Sequence, residues 1–91
     1  MKLEFDPEKS ARNVRERGLP FDSVEDFDFE TALFTIDERQ DYGETRMRAF
    51  GYLNGRLHAL VFKPIPGGLR IISLRRANSR EVKRYEQAQK A

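Results

Sequence analysis

The chain has 91 residues, 38% hydrophobic and 35% charged, which suits a single soluble domain over residues 1–91 with a modest core. It has no cysteine and one histidine, which excludes disulfides, thiolate metal sites and a multi-histidine metal centre and favours a reducing, cytoplasmic location. The apolar runs are too short for a membrane span, and residues 1–5 do not resemble the start of a signal peptide.

The net charge of +2 hides an uneven distribution of charge along the chain. Residues 1–45 carry 13 acidic and 6 basic side chains, whereas residues 46–91 carry 11 basic and 2 acidic ones. Such an asymmetry within one domain is uncommon. It predicts an anion-binding face built from the C-terminal half.

The N-terminal third predicts a short strand followed by two helices. Residues 1–5 alternate in hydropathy as a strand would. Asp6 is suited to cap a first helix, and Gly18 is suited to end it in a Schellman-type stop. Asp22 begins a capping-box-like pair, which predicts a second, brief helix through Phe27.

From residue 31 onward the pattern changes to the period of two that is typical of strands. Asn54-Gly55 is the strongest hairpin signal in the chain, and either Asn78 or Ser79 is suited to cap a final helix. The predicted strands are residues 31–37, 45–53, 56–63 and 69–77. The fold class predicted is therefore α+β, a curved and mainly antiparallel sheet with two N-terminal helices and one C-terminal helix.

The hairpin predicts which side chains share a face, because a two-residue turn at 54 and 55 pairs residues whose numbers add to 109. One predicted face is core: Met47, Ala49, Gly51, Leu60 and Phe62, with His58 opposite Gly51. The other carries Arg46, Arg48, Phe50, Tyr52, Ala59, Val61 and Lys63. A five-residue turn that closes Lys63 onto Leu69 would extend this second face with Ile71, Ser73 and Arg75, leaving Arg70 and Arg76 on the core face. A one-residue bulge would exchange these assignments.

The second face permits two interpretations. Its arginines could bind RNA phosphates in a forked geometry, with Phe50 or Tyr52 stacked on a base. Alternatively, its apolar side chains pack beneath a helix and its arginines extend at the rim. The sequence leaves both interpretations open.

Two residues outside the arginines could take part in proton transfer. Histidine is the side chain most often used as a general acid or base, but a lone histidine between Met47 and Leu60 is more often structural. Glu44 lies two residues before Arg46, which makes it the best placed acid of its charged loop.

Three segments, taken in order, resemble one protein family. They are "FDPEKSARNVRERG" at residues 5–18, "GETR" at 43–46 followed by a G-x-x-x-G-R hairpin, and "RIISLRRANSREVKRYE" at 70–86. Together they resemble the BrnT family of small bacterial toxins, which have a RelE-like ribonuclease fold. The chain departs from the family pattern at Arg17, where a histidine commonly precedes the glycine, and in its Pro-Ile-Pro turn.

The resemblance implies a ribonuclease toxin of a type II toxin–antitoxin system, which cleaves RNA to inhibit translation and needs no metal or other cofactor. It implies a cognate, BrnA-like antitoxin with a DNA-binding domain, so that DNA is contacted only through the antitoxin. The chemistry implied is attack of a ribose 2′-hydroxyl on the adjacent phosphate, with arginines stabilising the added negative charge.

The resemblance also selects candidate site residues, since Arg46, Arg70 and Arg75 occupy recurrent positions of the family. Glu44, Glu81 and Tyr85 do so too. The predicted catalytic residues are Arg46, Arg75, Arg70, Glu44 and, as the weakest candidate, His58. The predicted RNA-binding residues are Arg48, Phe50, Tyr52, Lys63 and Arg76. The alternative function is a non-catalytic module that binds RNA or a protein through the same face.

Overall fold

The computed structural model describes residues 1–90 and shows one mixed sheet with helical segments on both faces. The strands are β1 (Lys2–Glu4), β2 (Leu33–Ile36), β3 (Met47–Leu53), β4 (Arg56–Ile65) and β5 (Gly68–Arg76). The helices are α1 (Pro7–Arg17) and α2 (Ser79–Lys90), with a 3₁₀ helix at Phe21–Asp26 between α1 and β2. The strand order is β1-β5-β4-β3-β2, and only the β1–β5 pair is parallel. The α+β class is confirmed.

The first helix begins and ends where the sequence predicts. Asp6 accepts a hydrogen bond from the backbone N–H of Glu8 at 2.9 Å, and Gly18 ends the helix with a φ of 69°. The side chain of Asn13 donates to the carbonyl oxygen of Leu74 at 3.0 Å. This contact joins α1 to β5 beyond the three residues that pair with β1.

The predicted second helix is wrong in type, because residues 21–26 form a 3₁₀ helix. Asp22 does not cap it, since the residue at the N-cap position is Pro20, whose side chain makes no capping hydrogen bond. The N–H of Phe21 donates instead to the hydroxyl of Ser10 at 2.9 Å, and Phe21 and Val24 are buried in the core. Tertiary contacts therefore fix a tighter turn than the local sequence indicates.

The register of the β3–β4 hairpin is confirmed. Met47 pairs with Phe62 and Gly51 pairs with His58, as a turn at Asn54-Gly55 requires. Asn54 and Gly55 both have positive φ angles, 52° and 79°, which are the angles of a type I′ turn.

The predicted turn between β4 and β5 is wrong. Ile65 pairs with Gly68, so the loop has two residues, and Lys63 pairs with Arg70 rather than with Leu69. A bulge at Ile72 then shifts the register by one, so that Ala59 pairs with Arg75.

The shorter turn and the bulge each shift the pairing of β5 by one residue. After the bulge the two shifts restore the predicted faces, whereas before it the faces of β5 are exchanged. Arg75 and Ser73 lie on the predicted face and Arg76 lies on the core side, opposite His58. Arg70, by contrast, lies on the face with Lys63, while Ile71 packs in the core. The predicted position of Arg70 on the core face is therefore wrong.

The sheet has an apolar cluster on each face. The larger one packs against the 3₁₀ helix and comprises Phe21, Val24, Phe27, Ala49, Leu53, Leu60, Phe62, Leu69, Ile71 and Leu74. Gly51 belongs to this side because a Cβ there would lie 2.6 Å from the ring of Phe27. The smaller cluster lies under α2 and comprises Phe50, Leu57, Ala59 and Tyr85.

The smaller cluster bears out the interpretation in which a helix covers part of the arginine-bearing face. Phe50 is 7% exposed beneath α2, whose Tyr85 donates from its hydroxyl to the carbonyl oxygen of Thr31 at 2.7 Å. Within residues 1–90, none of the helices has the length and apolar character needed to cross a membrane.

Candidate active site

The face of the sheet that carries α2 also carries a patch of cations formed by cross-strand neighbours. Arg75 pairs with Ala59 in the row beneath α2, and Arg48 lies in the next row beside Val61. Lys63 and Arg70 form a third row. Arg46 lies beside this row, since its side chain and that of Lys63 both contact Glu44. We call this patch the basic face, comprising Arg46, Arg48, Lys63, Arg70 and Arg75.

Arg75 is held at the edge of α2 by a forked pair of hydrogen bonds to Glu81. Its Nη1 and Nη2 donate to the two carboxylate oxygens at 2.8 and 2.9 Å. The ion pair raises the pKa of Arg75 and lowers the pKa of Glu81 to about 2, so both groups are charged at neutral pH. Arg75 thus has a fixed guanidinium whose Nε makes no hydrogen bond among residues 1–90.

Glu81 is itself fixed by the start of α2. Its N–H donates to the side chain of Asn78 at 2.8 Å, and its carboxylate accepts from the N–H of Asn78 at 2.9 Å. This reciprocal arrangement is a capping box with asparagine at the N-cap position. It resolves the two capping candidates in favour of Asn78 and connects a helix cap to the position of Arg75.

Glu44 pairs with two cations in the third row. One carboxylate oxygen accepts from Nε of Arg46 at 3.1 Å, and the other lies 3.3 Å from Nζ of Lys63. The hydrogen bond from Arg46, followed by that from Lys63, lowers the pKa of Glu44. The Arg46 guanidinium also lies 4.0 Å from the centre of the Tyr42 ring, which limits its movement.

Arg48 has a buried N–H donor that forms no hydrogen bond among residues 1–90. Its guanidinium lies 5.4 Å from the centre of the Phe50 ring, and its Nε is buried with no hydrogen-bond partner among residues 1–90. It borders a cavity of about 60 Å³ together with Glu81 and Arg84. A buried donor without a partner costs free energy. An anion at this cavity would lie beside two cations, Arg48 and Arg84, and one carboxylate, that of Glu81.

Arg70 is at the margin of the site. It is exposed, and its Nε lies 3.8 Å from Glu4 of β1. The structure therefore places it on the basic face, but beside the parallel edge strand.

The structure separates the remaining candidates from the basic face. His58 is 3% exposed on the opposite face of the sheet, where its Nδ1 lies 2.8 Å from the carbonyl oxygen of Arg56. Arg76 is its cross-strand neighbour and lies on the same side. Phe50 is buried, whereas Tyr52 is 39% exposed and packs edge-on against Tyr85 at 5.5 Å.

Sequence reasoning missed two arginines near the site. Arg84 reaches the cavity beside Arg48 because it follows Glu81 by three positions on α2, a spacing that puts both on one helix face. Arg39 is fixed by two hydrogen bonds of 2.7 Å to the buried Asp37, and its charge acts on Arg75. The i, i+3 spacing could have indicated Arg84, but no local pattern indicates Arg39.

The fold and the site define a small α+β protein with an arginine-rich sheet face, the kind of surface that binds nucleic-acid phosphates. A family model described as the ribonuclease toxin BrnT of type II toxin–antitoxin systems matches residues 5–81. The chain belongs to this family. It is a ribonuclease toxin of a type II toxin–antitoxin system, with RNA as its target and a cognate antitoxin as its partner. No curated protein and no solved structure matches the chain.

Proposed function

We propose that the basic face is the catalytic centre of this ribonuclease and that Arg46, Arg48 and Arg75 surround the scissile phosphate. The observation that carries the proposal is the convergence of these cations on one sheet face, in adjacent cross-strand rows. Forked guanidinium groups match phosphate geometry and stay charged at every relevant pH.

The proposed reaction is a transesterification within the RNA. The ribose 2′-oxygen attacks the adjacent phosphorus and loses its proton, and the bond from phosphorus to the 5′-oxygen breaks. The 5′-oxygen takes up a proton, so the products are a 2′,3′-cyclic phosphate and a free 5′-hydroxyl. Negative charge grows on the phosphoryl oxygens in the transition state, where each well-placed cationic donor contributes about 10²–10³-fold in rate.

We assign acceptance of the 2′-proton to Glu44. Glu81 is committed to Arg75 and to the helix cap, and His58 lies across the sheet from the arginines. Glu44 lies among Arg46 and Lys63, and its lowered pKa keeps it deprotonated at neutral pH. A carboxylate of low pKa is a weak base, so most of the rate enhancement is assigned to the cations.

Four finer properties belong to the same proposal. The reaction is metal-independent, which is supported by the pairing of both carboxylates of the site with cations. The fold is RelE-like, the antitoxin is BrnA-like with a DNA-binding domain, and the toxin acts in the cytoplasm. Family membership is the support for these three.

The test is cleavage of RNA by the purified protein in the presence of a chelator, with Arg48→Ala compared with Arg15→Ala. Arg15 is an exposed cation of α1 and serves as a control of equal charge change. We expect wild type and the control to yield cyclic-phosphate ends and Arg48→Ala to lose most of its activity. Equal cleavage by Arg48→Ala, or a requirement for a divalent metal, would contradict the proposal.

A further inference from the structure

A second group of cations lies on the opposite side of the sheet, where α1 ends beside the hairpin. Arg17, Arg56 and Arg76 surround a cavity of about 280 Å³, and His58 forms part of its wall. All three arginines are exposed, and none forms an ion pair within residues 1–90. Three neighbouring cations without carboxylate partners repel one another, and this repulsion would be relieved by an anion.

This cavity continues toward the basic face. A second cavity, of about 510 Å³, shares Arg17 and Arg76 with the first and reaches Arg75, with Glu16 as the one acid in its wall. Arg75 and Arg76 are consecutive residues, so their side chains point to opposite faces at the end of β5. The two cavities thus form a cationic path around the end of β5, from the candidate active site to the hairpin.

We infer that this path is a binding groove for the sugar–phosphate backbone of single-stranded RNA beyond the scissile bond. We call it the exit groove, comprising Arg17, Arg56 and Arg76. It deepens the proposed function, because it assigns the RNA a route away from Arg75. Proteins that bind a single strand without reading its sequence use a positively charged groove that follows the backbone, together with aromatic side chains that stack on bases, and these cations would supply the contacts to the backbone.

The test compares two variants of equal charge. One carries Arg17→Gln, Arg56→Gln and Arg76→Gln; the control carries Arg15→Gln, Lys83→Gln and Lys90→Gln, three exposed cations outside both cavities. The ligands are a short RNA that covers only the cleavage site and a longer RNA extended on both sides. Both carry a 2′-deoxy nucleotide at the cleavage site, so affinity is measured whether or not the protein cleaves RNA.

For the longer RNA, we expect the plot of log affinity against log salt to lose about 2 in slope in the exit-groove variant, since each neutralised phosphate of a single strand contributes about 0.7. Affinity for the short RNA should be unchanged, and the control should keep the wild-type slope. An unchanged slope for the longer RNA, or equal losses for both RNAs, would overturn the inference. The inference would also be overturned if the exit-groove variant bound the antitoxin more weakly but kept its affinity for RNA, because the groove would then be a protein interface.

Failure of the proposed function is a separate outcome. It would appear as absence of cleavage of an all-ribose RNA by wild type, whatever the affinities measured with the 2′-deoxy ligands. Melting curves of both variants show whether each is folded at the assay temperature.

Discussion

Arg46 and Arg75 are both candidate catalytic residues, but they differ in how much of the fold depends on them. Arg46 forms a surface pair with Glu44, and about a quarter of its side chain is exposed. Such pairs contribute about 0–1 kcal/mol to stability. Arg75 is the partner of a Glu81 side chain that is only 13% exposed, so removing it takes the hydrogen-bonded cation away from a nearly buried carboxylate.

The Arg46→Ala variant should therefore separate catalysis from folding. We expect its kcat to fall by about 10²–10³-fold because one donor to the transition state is lost. Its melting temperature should stay close to that of wild type. Single-turnover cleavage and thermal melting measure the two effects, and full activity in this variant would remove Arg46 from the site.

The Arg75–Glu81 pair should make stability depend on pH in the acid range. The pKa of Glu81 is about 2 in the folded protein and near 4.5 when unperturbed, so stabilisation is complete above pH 4.5 and is lost as the pH falls toward 2. After allowance for the partial exposure of Arg75, we expect about 1–2 kcal/mol from this pair. Denaturant titrations of wild type and Glu81→Gln over this range should show the pH dependence reduced in the variant; parallel curves would contradict the assignment.

His58 should prove structural. Its burial and its contact with the carbonyl oxygen of Arg56 predict that His58→Ala lowers the melting temperature. Because His58 faces away from Arg46 and Arg75, the kcat of the folded variant should match that of wild type. Loss of kcat with an unaltered melting temperature would reverse this assignment.

At the scale of the element, α2 connects stability to the site through its first turn. Its capping box holds Glu81, and Glu81 holds Arg75. The bulge at Ile72 has a comparable role in β5, because it returns Arg75 to the basic face after the short turn has moved Arg70 there. The capping box and the bulge together determine where the guanidinium of Arg75 points.

Asn78→Ala should destabilise the protein by about 1 kcal/mol, the usual effect of losing an N-cap side chain. Ser79→Ala is the matched control, because Ser79 is the first residue of α2 and the observed cap hydrogen bonds come from Asn78. Denaturant unfolding of both variants measures the difference. Equal losses in the two variants would mean that the capping box does not contribute as the geometry indicates.

At the scale of the whole molecule, the division of charge places most cations on the C-terminal strands and α2. Because we propose that the basic face binds RNA, we expect an antitoxin that silences this toxin to cover this face or to compete with RNA for it. We therefore expect it to present acidic residues together with an apolar group over the exposed ring of Tyr52.

Association of toxin and antitoxin should slow as salt rises, because charges are screened beyond roughly 10 Å at 0.1 M salt. Stopped-flow association rates across a salt series measure this dependence. The Arg46→Ala variant should show a shallower dependence than wild type, whereas Arg15→Ala should not. A rate indifferent to salt would mean that the antitoxin binds elsewhere.

The sequence by itself determined the features that depend on neighbouring residues. Asn54-Gly55 adopts a turn that few other residue pairs allow. These two residues were therefore sufficient to predict how β3 pairs with β4. Asp6 and Gly18 bounded α1 for the same reason, since caps act within one helical turn. The order of three motifs was sufficient to indicate the family that the match over residues 5–81 shows.

Only the tertiary structure decided which candidate residues meet. The bulge at Ile72, the cover of α2 over Phe50 and the separation of His58 from Arg75 all depend on contacts between distant segments. A strand places its side chains with a period of two, so one extra residue moves every later side chain to the other face. Whether that residue is accommodated depends on packing across the sheet, which no local pattern in the chain records.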